Sequence, residues 1–142
     1  MIALGCDHGG FSLKQEIIAY LKEQNLEFKD YGCYNEEACD YPVYGKAVAN
    51  AVVNKECDKG IIICGTGIGI SITANKVKGI RAALCSDCFS AEATRLHNDA
   101  NILAMGARAI GPGLAIKIVD TFLNTEFSGE NRHKNRINQI ED

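Results

Sequence analysis

The chain has 142 residues, 46% of them hydrophobic and 23% charged, with a formal net charge of -3. That length suits one domain able to bury a core without staples. The mild charge argues against a nucleic-acid or membrane-surface protein, and no apolar run approaches the ~18 residues of a membrane helix.

Met1 leads straight into a strand-like run, Ile2 to Gly5, so no secretory leader is expected. The run ends in a glycine-rich turn, Cys6-Asp7-His8-Gly9-Gly10. Phe11 to Asn25 carries Leu13, Ile17, Ile18 and Leu21 at helical spacing. Leu26 to Tyr31 alternates apolar and polar residues, which suits a strand near a sheet edge. Cys33 to Cys39 is polar and loop-like. Pro42 then sits well in the first turn of a helix lined by Val43, Ala47, Val48, Ala51 and Val52. Gly60 to Cys64 is a continuous β-branched run, the pattern of a strand buried on both faces. It enters Gly65-Thr66-Gly67-Ile68-Gly69, and Ile70 to Lys76 reads as helix. Ile80 to Cys85 is the next strand, Ser90 to Asn98 a helix, and Ile102 to Met105 a short strand. Pro112 opens a helix with Leu114, Ile116, Ile118, Val119 and Phe122 partly buried. A linker at 126–130 precedes a polar helix at about residues 131–140.

Five strands separated by helices predict a single α/β domain over residues 1–142. Its parallel sheet carries helices on both faces. Ligands of such folds bind beyond the carboxyl ends of the strands. Residues 6–10, residues 64–69 and Arg108, after the fifth strand, are expected on that rim.

The loop from Cys64 to Gly69 is the most informative stretch. Its alternate glycines let the backbone turn and present N–H groups, and the helix that follows favours negative charge. That describes a cradle for an oxyanion or phosphate. The dinucleotide fingerprint fails in its helix-packing position, at Ile70 or Ile72, although Asp87 stands about 20 residues on, where a ribose-binding acid would. No Walker loop is present, since no Gly-Lys-Ser/Thr follows. Cys64 is either a small core residue or a thiolate favoured by the helix N-terminus. Asp7 and His8 can move protons or orient hydroxyls, and Asp7 can equally cap a helix. His97 ends a helix, where a cation also suits the dipole. Arg132, His133, Lys134 and Arg136 form a basic cluster that a small anion could use, and Arg132 and Arg136 share a helix face, suited to a phosphate or to solvent. Seven cysteines without an export signal read as free thiols in a reducing, cytoplasmic compartment. The lone CxxC, Cys85 to Cys88, lacks the partners of a zinc site and is weighed as a redox motif or as strand-end packing.

Together these pieces resemble ribose-5-phosphate isomerase of the B type, a family that includes galactose-6-phosphate isomerase subunits. The matching segments are residues 5–11, Asp40-Tyr41-Pro42, residues 64–71, Asn75-Lys76, residues 79–82, residues 95–101 and the Arg132/Arg136 pair. They span nearly the whole chain in order. The resemblance implies a Rossmann-like three-layer sandwich and a homodimer, sometimes a tetramer, with active sites at the subunit interface. It implies neither metal nor organic cofactor. By the same resemblance Cys64 is the base, and Asp7 and His97 open the sugar ring. Thr66 serves the reacting oxygens. His8, Arg108, Arg132 and Arg136 hold phosphate. Gly65, Gly67, Ile68 and Gly69 hold the enediolate, and Asn98 and Tyr41 complete the substrate contacts. The expected reaction interconverts ribose 5-phosphate and ribulose 5-phosphate. The rivals are a galactose-6-phosphate or allose-6-phosphate isomerase, and a non-catalytic nucleotide-binding module.

Overall fold

A computed structural model describes all 142 residues. Five strands, β1 (Ile2–Cys6), β2 (Phe28–Asp30), β3 (Lys59–Cys64), β4 (Ala82–Leu84) and β5 (Ile102–Gly106), form one wholly parallel sheet in the order β2-β1-β3-β5-β4. Six α-helices connect and cover them: α1 (Phe11–Glu23), α2 (Tyr41–Val53), α3 (Ile68–Asn75), α4 (Cys88–Asn98), α5 (Pro112–Asn124) and α6 (Asn131–Glu141). A single 3-10 turn, His8–Gly10, joins β1 to α1. No helix is long and apolar enough to cross a membrane.

The strand alternation builds two cores. Ile61 and Ile63 of β3, with Leu103 and Met105 of β5, face α1, α4 and α5. Ile62 and Cys64, with Ile102 and Ala104, face α2 and α3. Each fully buried Ile here stabilises the fold by roughly 1.5–3 kcal/mol. The result is the expected three-layer Rossmann-like sandwich. The two-residue alternation also aims Cys64 toward the α2–α3 layer.

Several boundaries differ from expectation. β2 and β4 span three residues each, because both lie at sheet edges and are only partly buried. α3 begins at Ile68, so Ile68 and Gly69 are helical rather than loop. Gly67 adopts φ +78° immediately before it, which turns the chain early enough for the helix to start there. Leu114 is exposed, because α5 buries Ala115, Ile118, Val119 and Phe122 instead.

The chain leaves β1 for β2 on one side and returns across it to β3 on the other. That reversal opens a crevice between the carboxyl ends of β1 and β3.

Candidate active site

The crevice holds the loop after β1 and the loop after β3 side by side. The Asp7 amide donates to Ile63 O at 3.2 Å. The Asp7 carboxylate, itself buried, accepts from the Gly10 amide at 3.2 Å, so Asp7 does cap the short turn. Gly9 lies between that carboxylate and the Gly65 amide: a side chain there would approach both within 3.5 Å. His8 Nδ1 accepts from the Cys39 amide at 3.2 Å. That bond leaves the imidazole proton on Nε2, free for a ligand. The stem of Arg108 lies 3.7 Å from where a side chain on Gly65 would stand, and the Arg108 amide donates to Gly65 O at 2.9 Å. Tyr41, the first residue of α2, packs its ring and hydroxyl against Gly69.

Cys64 ends β3 and is 5% exposed. Its Sγ accepts from the Gly67 amide at 3.1 Å. An N–H aimed at sulfur solvates a thiolate, and that contact requires the left-handed turn at Gly67. The Ile68 amide is likewise engaged, by Thr66 Oγ1 at 3.2 Å. Two of the four amides expected to hold an enediolate are therefore committed inside the loop. The amides of Gly65 and Gly69 have no protein acceptor, and neither do those of Thr66 and Ile70. The open donor set is thus Gly65, Thr66, Gly69 and Ile70, shifted from the expected one by the way the turn closes on the sulfur.

The remaining expected residues lie elsewhere. His97 and Asn98 end α4, and Asn98 O accepts from Arg81 Nε at 2.8 Å, just before β4 begins. Cys64 pairs with Gly106 at the far end of β5, whereas Gly60 pairs with Ile102 at its start. The two ends differ by four strand steps, about 13 Å. α6 packs against α4 and carries Arg132 and Arg136, both exposed. One chain therefore places the expected site residues in two groups, candidate half-sites, on opposite ends of its sheet. Asp7, His8, Tyr41, Cys64, Thr66 and Arg108 form the first; His97, Asn98, Arg132 and Arg136 form the second. Alternating strands and helices carry the signal for this split, because a helix leaving a strand's carboxyl end must return to the amino end before the next parallel strand.

A family model described as Ribose/Galactose Isomerase matches residues 2–140. The chain belongs to that family. It is 52% identical over 139 residues to "Ribose-5-phosphate isomerase B" of Escherichia coli, covering 98% of this chain and 93% of the relative. It is 41% identical to "Galactose-6-phosphate isomerase subunit LacB" of Clostridium acetobutylicum, covering 100% and 82%. The solved structure of Clostridium thermocellum Ribose-5-Phosphate Isomerase B superposes with a TM-score of 0.97 at 54% identity, covering 99% and 94%.

Within this family frame the alternative roles weighed for two segments lose ground. Asp87 accepts from the Ser90 amide at 2.6 Å and its hydroxyl at 2.9 Å, so its carboxylate is engaged as the N-cap of α4. Cys85 is buried, and burial followed by the Asp87 charge pushes its thiol up to about 11. A thioredoxin-type pair needs the opposite shift.

Two residues at this end gain from the structure a definite place that sequence did not give them, His133 of the basic cluster and Arg81 of the matching segment 79–82. His133 is 6% exposed and stacks on His97, with ring centroids 4.5 Å apart and planes at 20°. Its signal was the stripe His133, Ile137, Ile140, spaced i, i+4, i+7 on α6. Burial, then the charges of His97 and Arg132, pull its imidazole below the usual histidine range, with Glu130 opposing. Arg81 ties the half-site together. Its Nε holds Asn98 O, Nη2 holds Asp99 O at 3.0 Å and Nη1 holds Glu141 at 2.6 Å. The end of α4 and the end of α6 thereby share one anchor.

Proposed function

We propose that this chain interconverts ribose 5-phosphate and ribulose 5-phosphate, with Cys64 as the base. The observation that carries this reading is the Cys64 sulfur held by the Gly67 amide beside four N–H groups without acceptors. Pentose phosphates rest as closed rings, so ring opening comes first. Asp7 and His97 share that proton transfer. Cys64 then removes the proton from C2 of the open aldose. The electron pair moves through C1–C2 onto the carbonyl oxygen and forms a cis-enediolate. Open amides of the cradle stabilise that oxyanion, each by about 3–4 kcal/mol. Thr66 Oγ1 serves the proton exchange between O1 and O2, and Cys64 returns its proton to C1. Redox equivalents balance within the sugar.

The phosphate is held by His8 and Arg108 from one side and by Arg132 and Arg136 from the other. Because those two sets lie on opposite ends of the sheet, the reading requires two copies of the chain. In a two-fold dimer the second half-site of each subunit faces the first half-site of the other. His97, Asn98, Arg132 and Arg136 of the partner subunit then complete each site.

A direct assay tests the chemistry: ribose 5-phosphate, allose 6-phosphate and galactose 6-phosphate are supplied in parallel. Turnover of the pentose alone or by far the fastest supports the reading. Turnover of galactose 6-phosphate alone would favour the six-carbon alternative, which the 41% relative motivates. Complementation tests the shared site. Cys64→Ala and His97→Asn are each expected to be inactive. Mixed and re-equilibrated one to one, they restore about a quarter of the wild-type sites, one per mixed dimer. No recovery on mixing would rule out the shared site.

A further inference from the structure

A cavity of about 530 Å³ lies at the amino end of the sheet, away from Cys64. Its size falls in the range of small-ligand sites. The walls come from the loop after α2, the first residue of β3, the turn before β4 and the last turn of α4. Lys55, Lys59, Lys78 and Arg95 line it. Its two carboxylates are already engaged. Asp58 pairs with the N-terminal ammonium at 2.6 Å, and Asp99 pairs with Arg95 Nη1 at 2.8 Å. None of the three lysines makes a hydrogen bond or ion pair with the protein.

Arg95 distinguishes this cavity from a solvated basic surface. The residue is 5% exposed. Nε donates to Thr125 O at 3.0 Å, and Nη1 donates to Asp99 and to Ala100 O. Nη2 has no protein partner, yet the fold leaves no fully enclosed nitrogen unsatisfied, so this nitrogen opens on the cavity that Arg95 lines. Lys59 stands near it. Burial and then the Arg95 charge hold the Lys59 ammonium below the usual lysine range, against the pull of Asp58, Asp99 and Glu126. Asp99 compensates Arg95 through Nη1, but no protein acceptor reaches Nη2 or the Lys59 ammonium, so both keep hydrogen-bond donors for an anion.

We propose that this cavity is a second binding site, for a small metabolite carrying two or more phosphate groups. Arg95 Nη2 and Lys59 contact one phosphate at the floor, and Lys55 and Lys78 hold the next at the rim. Ammonium groups serve as point charges for phosphate oxygens, and the single free guanidinium nitrogen offers no planar fork for a carboxylate. Neither Arg132 nor Arg136 lines the cavity, and Arg81, which does, is engaged with Asn98, Asp99 and Glu141.

The test is calorimetric titration of inorganic diphosphate into three full-length proteins whose melting curves establish folding. They are the wild type, Arg132→Ala/Arg136→Ala and Lys55→Ala/Lys59→Ala/Lys78→Ala. Diphosphate is expected to bind the wild type and the arginine variant alike, and to bind the lysine variant about tenfold or more weakly. The lysine variant is expected to keep its basal isomerase rate. Absence of binding to the wild type overturns the proposal. So does loss of binding in the arginine variant, or full binding in the lysine variant. Tighter binding of citrate than of diphosphate overturns the phosphate assignment.

Discussion

Gly106→Ala is the sharpest probe of the cradle. Gly106 closes β5 and pairs with Cys64. A methyl group there would stand 2.4 Å from Thr66 O and 2.5 Å from its carbonyl carbon. Ordinary contact begins at 3.4 Å, so the two must part by about 1 Å. Gly106 is the less free to move, because its carbonyl accepts from the Ala109 and Ile110 amides at 3.0 and 3.2 Å. The Thr66 loop therefore takes up the shift and carries the open amides away from the sulfur. A displacement of this size costs on the order of 10²-fold in kcat/KM. Overpacking costs about 1–3 kcal/mol of stability as well. For a chain of this length that lowers Tm by about 3–9 °C. Steady-state kinetics with ribose 5-phosphate and a thermal melt read the two effects. Gly113→Ala is the control, since a side chain there meets nothing within 4 Å; its kcat/KM stays unchanged. A Gly106→Ala enzyme within about threefold of wild-type kcat/KM and with an unshifted Tm would refute the reasoning.

Cys64→Ala is expected to keep its melting curve close to wild type and to lose isomerase turnover; retained activity would remove the sulfur from the mechanism. On the proposed reading, in which the exposed Arg132 guanidinium binds the non-reacting phosphate, Arg132→Ala mainly raises KM for the sugar phosphate with kcat nearly intact; an unchanged KM would break the phosphate assignment. Arg81→Ala releases Asn98, Asp99 and Glu141 together, costs about 2–3 kcal/mol in urea unfolding and lowers kcat/KM through the end of α4. Unchanged kinetics in that variant would leave Arg81 a purely structural tie. His133 sets a pH dependence. Its folded-state affinity for a proton is below that of the unfolded chain, so acid favours unfolding. Its contribution falls as pH drops through the unfolded value of about 6.5 and levels below the lowered folded one. The Tm of His133→Asn is expected to decline less between about pH 8 and pH 5 than that of the wild type; parallel slopes would contradict this.

Much of the architecture is written in local patterns. Gly60 to Cys64 announces a strand buried on both faces because its β-branched run has no polar side to turn outward, and β3 sits at the centre of the sheet. The glycine loop after it points to a turn and an anion cradle, because few other residues permit that backbone path. Edge elements are less legible. β2 and β4 pair on one side only, are partly buried, and each stops two residues before the neighbour it pairs with.

The cradle's donors and the placement of the second half-site belong to tertiary structure. Spacing along the chain does not say that the Gly67 amide turns onto the Cys64 sulfur while Gly69 faces Tyr41. Nor does it say that His133 folds back onto His97, 36 residues before it in the chain, since stacking depends on where α6 lands after the linker. Residue types and periodicity determined which elements form and which side chains have the chemistry. Which of them meet was decided by packing, because a parallel sheet with returning helices sends alternate segments to opposite ends.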